Sequence, residues 1–190
     1  MKNIPILIFI FFIPLWHFQN ADAGECARKV AKRHHLMYYK GTRVDTRLFN
    51  LENITVAKFN EGRVVDTNGQ PLTISIGSQF VITGGSSFLI TRDPVNVTHQ
   101  DIAQGKPVRY AAMITINNGY ITNLFASALS GYSGSPEMLV SLARYLTRHR
   151  IDLKDTRFSV VYFEPPHSRR SEDQKVIYDW SYTDLMNAFD

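Results

Sequence analysis

Three tight-turn signals, each flanked by residues of alternating character, constrain this chain more than anything else in it. Asn68-Gly69, Gly84-Gly85 and Asn118-Gly119 each supply the positive φ that a short hairpin connection requires. Around them the hydrophobic period is two. Ile54 to Phe59 alternates, and Arg63 to Asp66 follows. Leu72 to Ile76, Gln79 to Thr83 and Ser86 to Thr91 read as further strands. Pro107 to Ile116 is the longest, with Val108, Tyr110, Ala112, Ile114 and Ile116 on one face, and Asn117-Asn118-Gly119 turns it into Tyr120 to Ala126.

The period changes at both ends. Glu25 to Met37 predicts a helix, with Ala27, Val30, Ala31 and His34 on one face and Arg28, Lys29, Lys32 and Arg33 on the other. Ser135-Pro136-Glu137 is a strong helix start: a capping Ser, Pro at the first helical position and an acid in the first turn. That helix is expected to run to about Arg150 and to bury Leu139, Leu142, Ala143 and Leu146. Arg157 to Phe163 predicts a strand stopped by Pro165-Pro166, and His167 to Gln174 a polar loop. Lys175 to Trp180 predicts a last strand, and Thr183 the cap of a short terminal helix. The expected fold class is α+β: an antiparallel β-hairpin meander with an N-terminal helix and one longer helix after the meander.

Composition excludes several alternatives. At 44% hydrophobic and 12% aromatic, the 190 residues are too apolar for a disordered chain, and one Cys rules out a disulfide scaffold. Residues 1–23 predict a signal peptide. Lys2 gives a short positive region, Ile4 to Trp16 is an unbroken apolar run too short to span a bilayer, and Ala21-Asp22-Ala23 places small residues where a signal peptidase reads. Cleavage after Ala23 leaves 24–190 as a single secreted or periplasmic domain with no membrane span. Cys26 is then a free or intermolecular thiol near the mature terminus. Asn53-Ile54-Thr55 and Asn96-Val97-Thr98 are glycosylation sequons, meaningful only in a eukaryotic host.

The net charge of +4 is mild and does not call for nucleic acid. It is uneven, however. The segment from Gly24 to Arg47 and the segment from Arg144 to Lys175 are basic, whereas Val176 to Asp190 carries only acids.

Few motifs carry chemistry. His34 and His35 are neighbours, so on a helix they diverge and cannot share a metal ion, and no other metal site stands out. His99 and Asp101, placed in a loop, form a candidate acid/base pair, since imidazole titrates near neutrality and a carboxylate orients it. Gly131-Tyr132-Ser133-Gly134 lacks the spacing of a hydrolase nucleophile elbow, and Gly105-Lys106 lacks the upstream Gly of a phosphate loop. The loop from Ser130 to Ser135 sits at a helix N-terminus, where N–H groups favour an anion, which makes Ser130 and Ser133 candidate ligand contacts.

Two resemblances follow from these residues. Arg43-Val44-Asp45-Thr46-Arg47 resembles the Arg-x-Asp-Ser/Thr-Arg segment of cholera- and pertussis-type ADP-ribosyltransferases, with Phe80-Val81-Ile82-Thr83 a faint echo of their Ser-Thr-Ser strand. That resemblance implies NAD as the donor, Arg43 as the residue that orients its pyrophosphate, Arg47 as a further substrate contact, and Glu137 as the acid. The paired glutamates of arginine-modifying members are absent. The longer stretch from Val97 to Phe158 resembles a domain of plant IQ-motif calmodulin-binding proteins and of C-terminal modules in bacterial toxins and effectors. His99, Gly105-Lys106-Pro107-Val108, Asn118-Gly119, Ser130-Gly131, Pro136 and Ile151-Asp152-Leu153 carry it, in that order. That family has His-Tyr after Ser-Gly, where this chain has Tyr132-Ser133. The resemblances imply a secreted toxin- or effector-like protein acting on a protein target or a small anionic ligand. It is either a group-transfer enzyme or a non-catalytic binding protein that has lost the histidine.

Overall fold

The computed structural model describes residues 36–37, 53–92, 97–127, 132, 134–163 and 175–189. Eight strands form one sheet: β1 (Ile54–Asn60), β2 (Arg63–Val65), β3 (Ile74–Thr83), β4 (Phe88–Thr91), β5 (Val108–Asn117), β6 (Tyr120–Ser127), β7 (Arg157–Phe163) and β8 (Lys175–Ser181). Among the described residues there are three helices, α1 (His99–Ala103), α2 (Pro136–Arg148) and α3 (Tyr182–Ala188).

The sheet is not the expected meander, and the α+β description gives way to a strand-dominated, curled half-barrel with short helices. Its order is β2-β1-β4-β3-β5-β6-β7-β8, so β4 lies between β1 and β3. The sheet is also mixed, because β6 and β7 run parallel, with Asn123 opposite Arg157 and Ser127 opposite Val161. Parallel neighbours cannot be joined by a hairpin, and α2 is the crossover that joins them. The longer helix is thus a connection within the sheet rather than an appendage after it. Period-two patterning fixes which residues are strands, but it leaves their neighbours open.

The hairpin chemistry is present where the turn residues sit. Asn118 and Gly119 have φ of 48° and 83°, the pair of positive values that a two-residue turn needs. Gly69 has φ of 83°, and the Asp66 carboxylate accepts from the backbone N–H groups of Asn68 and Gln70. At the third turn the positive φ falls on Ser86 rather than on Gly84 or Gly85. The curl brings the edge strand β2 to the β5–β6 turn. Val64 N–H donates to Gly119 O at 2.8 Å, and the Arg63 guanidinium lies 4.8 Å from the Tyr120 ring centroid.

The core has two parts, one on each face. Phe80, Ile82, Tyr110, Ala112, Ile114, Leu124, Phe158 and Val160 pack with Leu139, Leu142 and Leu146 of α2 and Leu185 of α3. Each large apolar side chain so buried contributes about 1.5–3 kcal/mol. On the other face Val81, Val108 and Ala111 pack with Ile102 and Ala103 of α1, and with Tyr132.

Local signals explain the helices, with corrections. Ser135 caps α2 by accepting from Met138 N–H at 3.2 Å, with Pro136 at the first helical position. The helix stops at Arg148, because Arg150 has left-handed φ of 63°. Ser181, not Thr183, caps α3. The segment around His99, expected as a loop, is helix α1, closed by a capping box between Thr98 and Asp101. The expected N-terminal helix over 25–37 lies outside the described residues except at its end. There Met37 is extended and exchanges backbone hydrogen bonds with Val108 at 2.6 and 2.8 Å.

Candidate functional site

A β-bulge creates the most distinctive site in the molecule. Ile82 of β3 pairs with Tyr110 of β5, but the next residue, Thr83, pairs with Val108, so Arg109 is an extra residue on β5. A bulge re-aims side chains on its strand. In a regular strand Arg109 and Tyr110 would face opposite sides of the sheet. Here both line a cleft of about 410 Å³ against helix α2, together with Glu137, Val140, Ser141, Arg144, Tyr145, Arg148 and, at the rim, Phe189.

Helix α2 supplies the opposite wall by its periodicity. Glu137, Ser141, Arg144 and Arg148 recur every three or four residues and share one face. From Glu137 to Arg148 this face spans roughly 16 Å. The hydroxyl of Tyr110 bonds Ser141 Oγ at 2.9 Å and donates to Ser141 O at 3.1 Å, tying the bulged strand to the helix. Tyr145 sits 5.4 Å from Tyr110 between ring centroids, and the Arg109 guanidinium carbon lies 5.8 Å from the Tyr145 centroid. Stacking on an aromatic face suits a guanidinium that must stay charged in a partly dry place.

The electrostatics of the cleft are lopsided. Arg109, Arg144 and Arg148 line it with one carboxylate, that of Glu137. Glu137 does not pair with them among the described residues. A hydrogen bond from Ser135 and one from its own backbone N–H hold its carboxyl below the ordinary value, so it is ionised at neutral pH. The Nε of Arg109 is buried and has no acceptor among the described residues. A buried donor on a charged group is a favourable place for an acceptor oxygen, from water or a ligand.

Among the described residues no hydrogen bond joins His99 to Asp101. Asp101 directs its carboxylate to Thr98, accepting from the backbone N–H and the hydroxyl at 2.7 Å each. His99 donates from Nε2 to Ala112 O at 2.8 Å. Burial pushes its imidazole below the ordinary value, which that bond partly offsets, so it is neutral at pH 7. Neither residue lines the arginine cleft, whereas Glu137 does. Arg43, Arg47, Ser130 and Ser133 lie outside the described residues.

Tyr132, which the sequence places among polar residues, is 1% exposed and donates from its hydroxyl to Lys106 O at 2.9 Å. Gly134 is held close to β6: a Cβ there would lie 2.7 Å from Ala126 Cβ and 2.9 Å from Ser127 N.

Among the described residues no three His, Cys, Asp or Glu side chains converge as a metal site, and no helix is long and apolar enough to cross a membrane. No family model matches the chain, and no curated protein or solved structure matches it at a significant level. The functional reading therefore rests on this chain's own geometry.

Proposed function

We propose that this is an exported binding protein that holds an anionic group in the arginine cleft between β5 and α2. The observation that carries this reading is the buried Nε of Arg109, without an acceptor among the described residues, in a cleft that Arg148 also lines. A phosphate or carboxylate oxygen supplies the missing acceptor, and Arg148, which forms no ion pair among the described residues, adds a second guanidinium. The apolar run and small residues before Gly24 support export. Binding is favoured over group transfer because His99 and Asp101 both hold structural bonds, to Ala112 and Thr98.

The test is a thermal titration of the full chain with inorganic phosphate and pyrophosphate at constant ionic strength. Both anions are expected to raise the Tm, pyrophosphate more, and Arg109→Leu is expected to abolish the rise. An unchanged Tm, or a rise that persists in Arg109→Leu, defeats the proposal. NAD is titrated alongside, and it is expected to bind without release of nicotinamide. Nicotinamide release would place the chain among group-transfer enzymes instead.

A further inference from the structure

We infer that the cleft takes a nucleoside monophosphate, its phosphate on Arg109 and Arg148 and its base on Phe189; this rests on the anion-binding reading above. Three observations lead there. The first is charge. A phosphate monoester carries about −1.5 to −2 at neutral pH, which the two guanidinium charges of Arg109 and Arg148 balance. The second is size. A cleft of about 410 Å³ is far larger than a single tetrahedral ion needs and falls in the range of sites for whole small molecules. The phosphate must therefore carry something bulky along the groove.

The third is the chemistry of the walls. Phe189 stands at the rim and is 37% exposed, an aromatic face turned partly to water. Its inner side is braced edge-on by Trp180 at 6.4 Å, and Trp180 in turn stacks on Tyr178 at 5.8 Å with planes 10° apart. A braced aromatic ring beside fixed cations is the arrangement on which a flat base stacks, and such stacking tolerates any base because every base has a π-face. The lining also includes polar groups. Ser141 presents a hydroxyl, and the ionised Glu137 an acceptor suited to sugar hydroxyls.

Isothermal titration of the full chain with AMP, ribose 5-phosphate, adenosine and inorganic phosphate separates the parts. AMP is expected to bind about tenfold tighter than ribose 5-phosphate, the difference being the stacked base. Phe189→Ala is expected to erase that preference while leaving ribose 5-phosphate unchanged. Arg148→Gln is expected to weaken both phosphorylated ligands about tenfold and to leave adenosine alone. Both positions are on the surface, and melting curves of the variants check that the fold is intact. Equal affinity for AMP and ribose 5-phosphate, or a preference that survives Phe189→Ala, overturns the inference while the anion-binding proposal stands. Failure of every phosphorylated compound to bind overturns both.

Discussion

His99 is held where a charge is unwelcome. Its Nε2 donates to a backbone carbonyl of β5, and its surroundings disfavour the imidazolium. Because the folded-state value lies below the ordinary 6.5, the unfolded chain takes up a proton that the folded chain resists. Stability is therefore full above pH 6.5 and declines as pH falls from there to the folded-state value, below which this contribution is flat. Denaturant midpoints measured from pH 7.5 to 5 are expected to fall, and His99→Gln is expected to flatten the curve. An unchanged pH dependence in that variant would show that another group is responsible. The same residue shows what a sequence pattern leaves open about a site. His99 and Asp101 are two apart, which suggests an acid/base pair, but in a helical first turn the acid three residues after Thr98 reaches back to cap the helix. Arg109 errs in the other direction. Alternation assigns it to the face opposite Tyr110, and only a bulge, invisible in the residue types, brings both into one cleft.

At the scale of elements, the turns were the most legible feature, because the residue types themselves carry the required φ. Asn118-Gly119 is a connection and also a packing surface. Gly119 combines φ of +83° with close approach: a Cβ there would lie 2.9 Å from Arg63 Cβ and 3.2 Å from Val64 O. Gly119→Val is therefore expected to destabilise the domain by about 1–3 kcal/mol, read as a lowered urea midpoint at unchanged slope. A midpoint equal to wild type would contradict both the turn and its contact with β2. The start of α2 was equally legible, from Ser135-Pro136. Its role was not. A hydrophobic stripe says that a helix packs on a sheet, but the direction of the strand that follows is settled by which sheet edge is open when that strand arrives. Here that edge is β6, and β7 joins it parallel.

At the scale of the whole molecule, strand content was legible and topology was not, for the same reason: strand order depends on pairings between residues far apart in the sequence. The arginine groove needs three distant pieces, namely the β5 bulge, the face of the crossover helix α2 and the rim at Phe189. Of the described candidate residues, Glu137 lines the groove and His99 and Asp101 do not. The export proposed for the chain has its own check. Intact mass of protein recovered outside the cytoplasm is expected to correspond to Gly24 at the N-terminus, and a product retaining Met1 would refute it.

The insertion of β4 between β1 and β3 has a consequence in time. A chain delivered N-terminus first presents β1 and β2 early, yet the other ladder partner of β1 exists only once β3 has folded back through its turn, so that Ile54 meets Thr91. At the opposite end, Asn123 waits for Arg157 until the whole of α2 has been delivered. Loop closure must be completed at both seams before the contacts reward it, and proteins built this way fold in roughly milliseconds to seconds. During that interval the unpaired edges of β1 and β6 are open to any strand that reaches them first. The dangerous moment for this polypeptide is the pause between arrival and closure, and it falls on two specific edges.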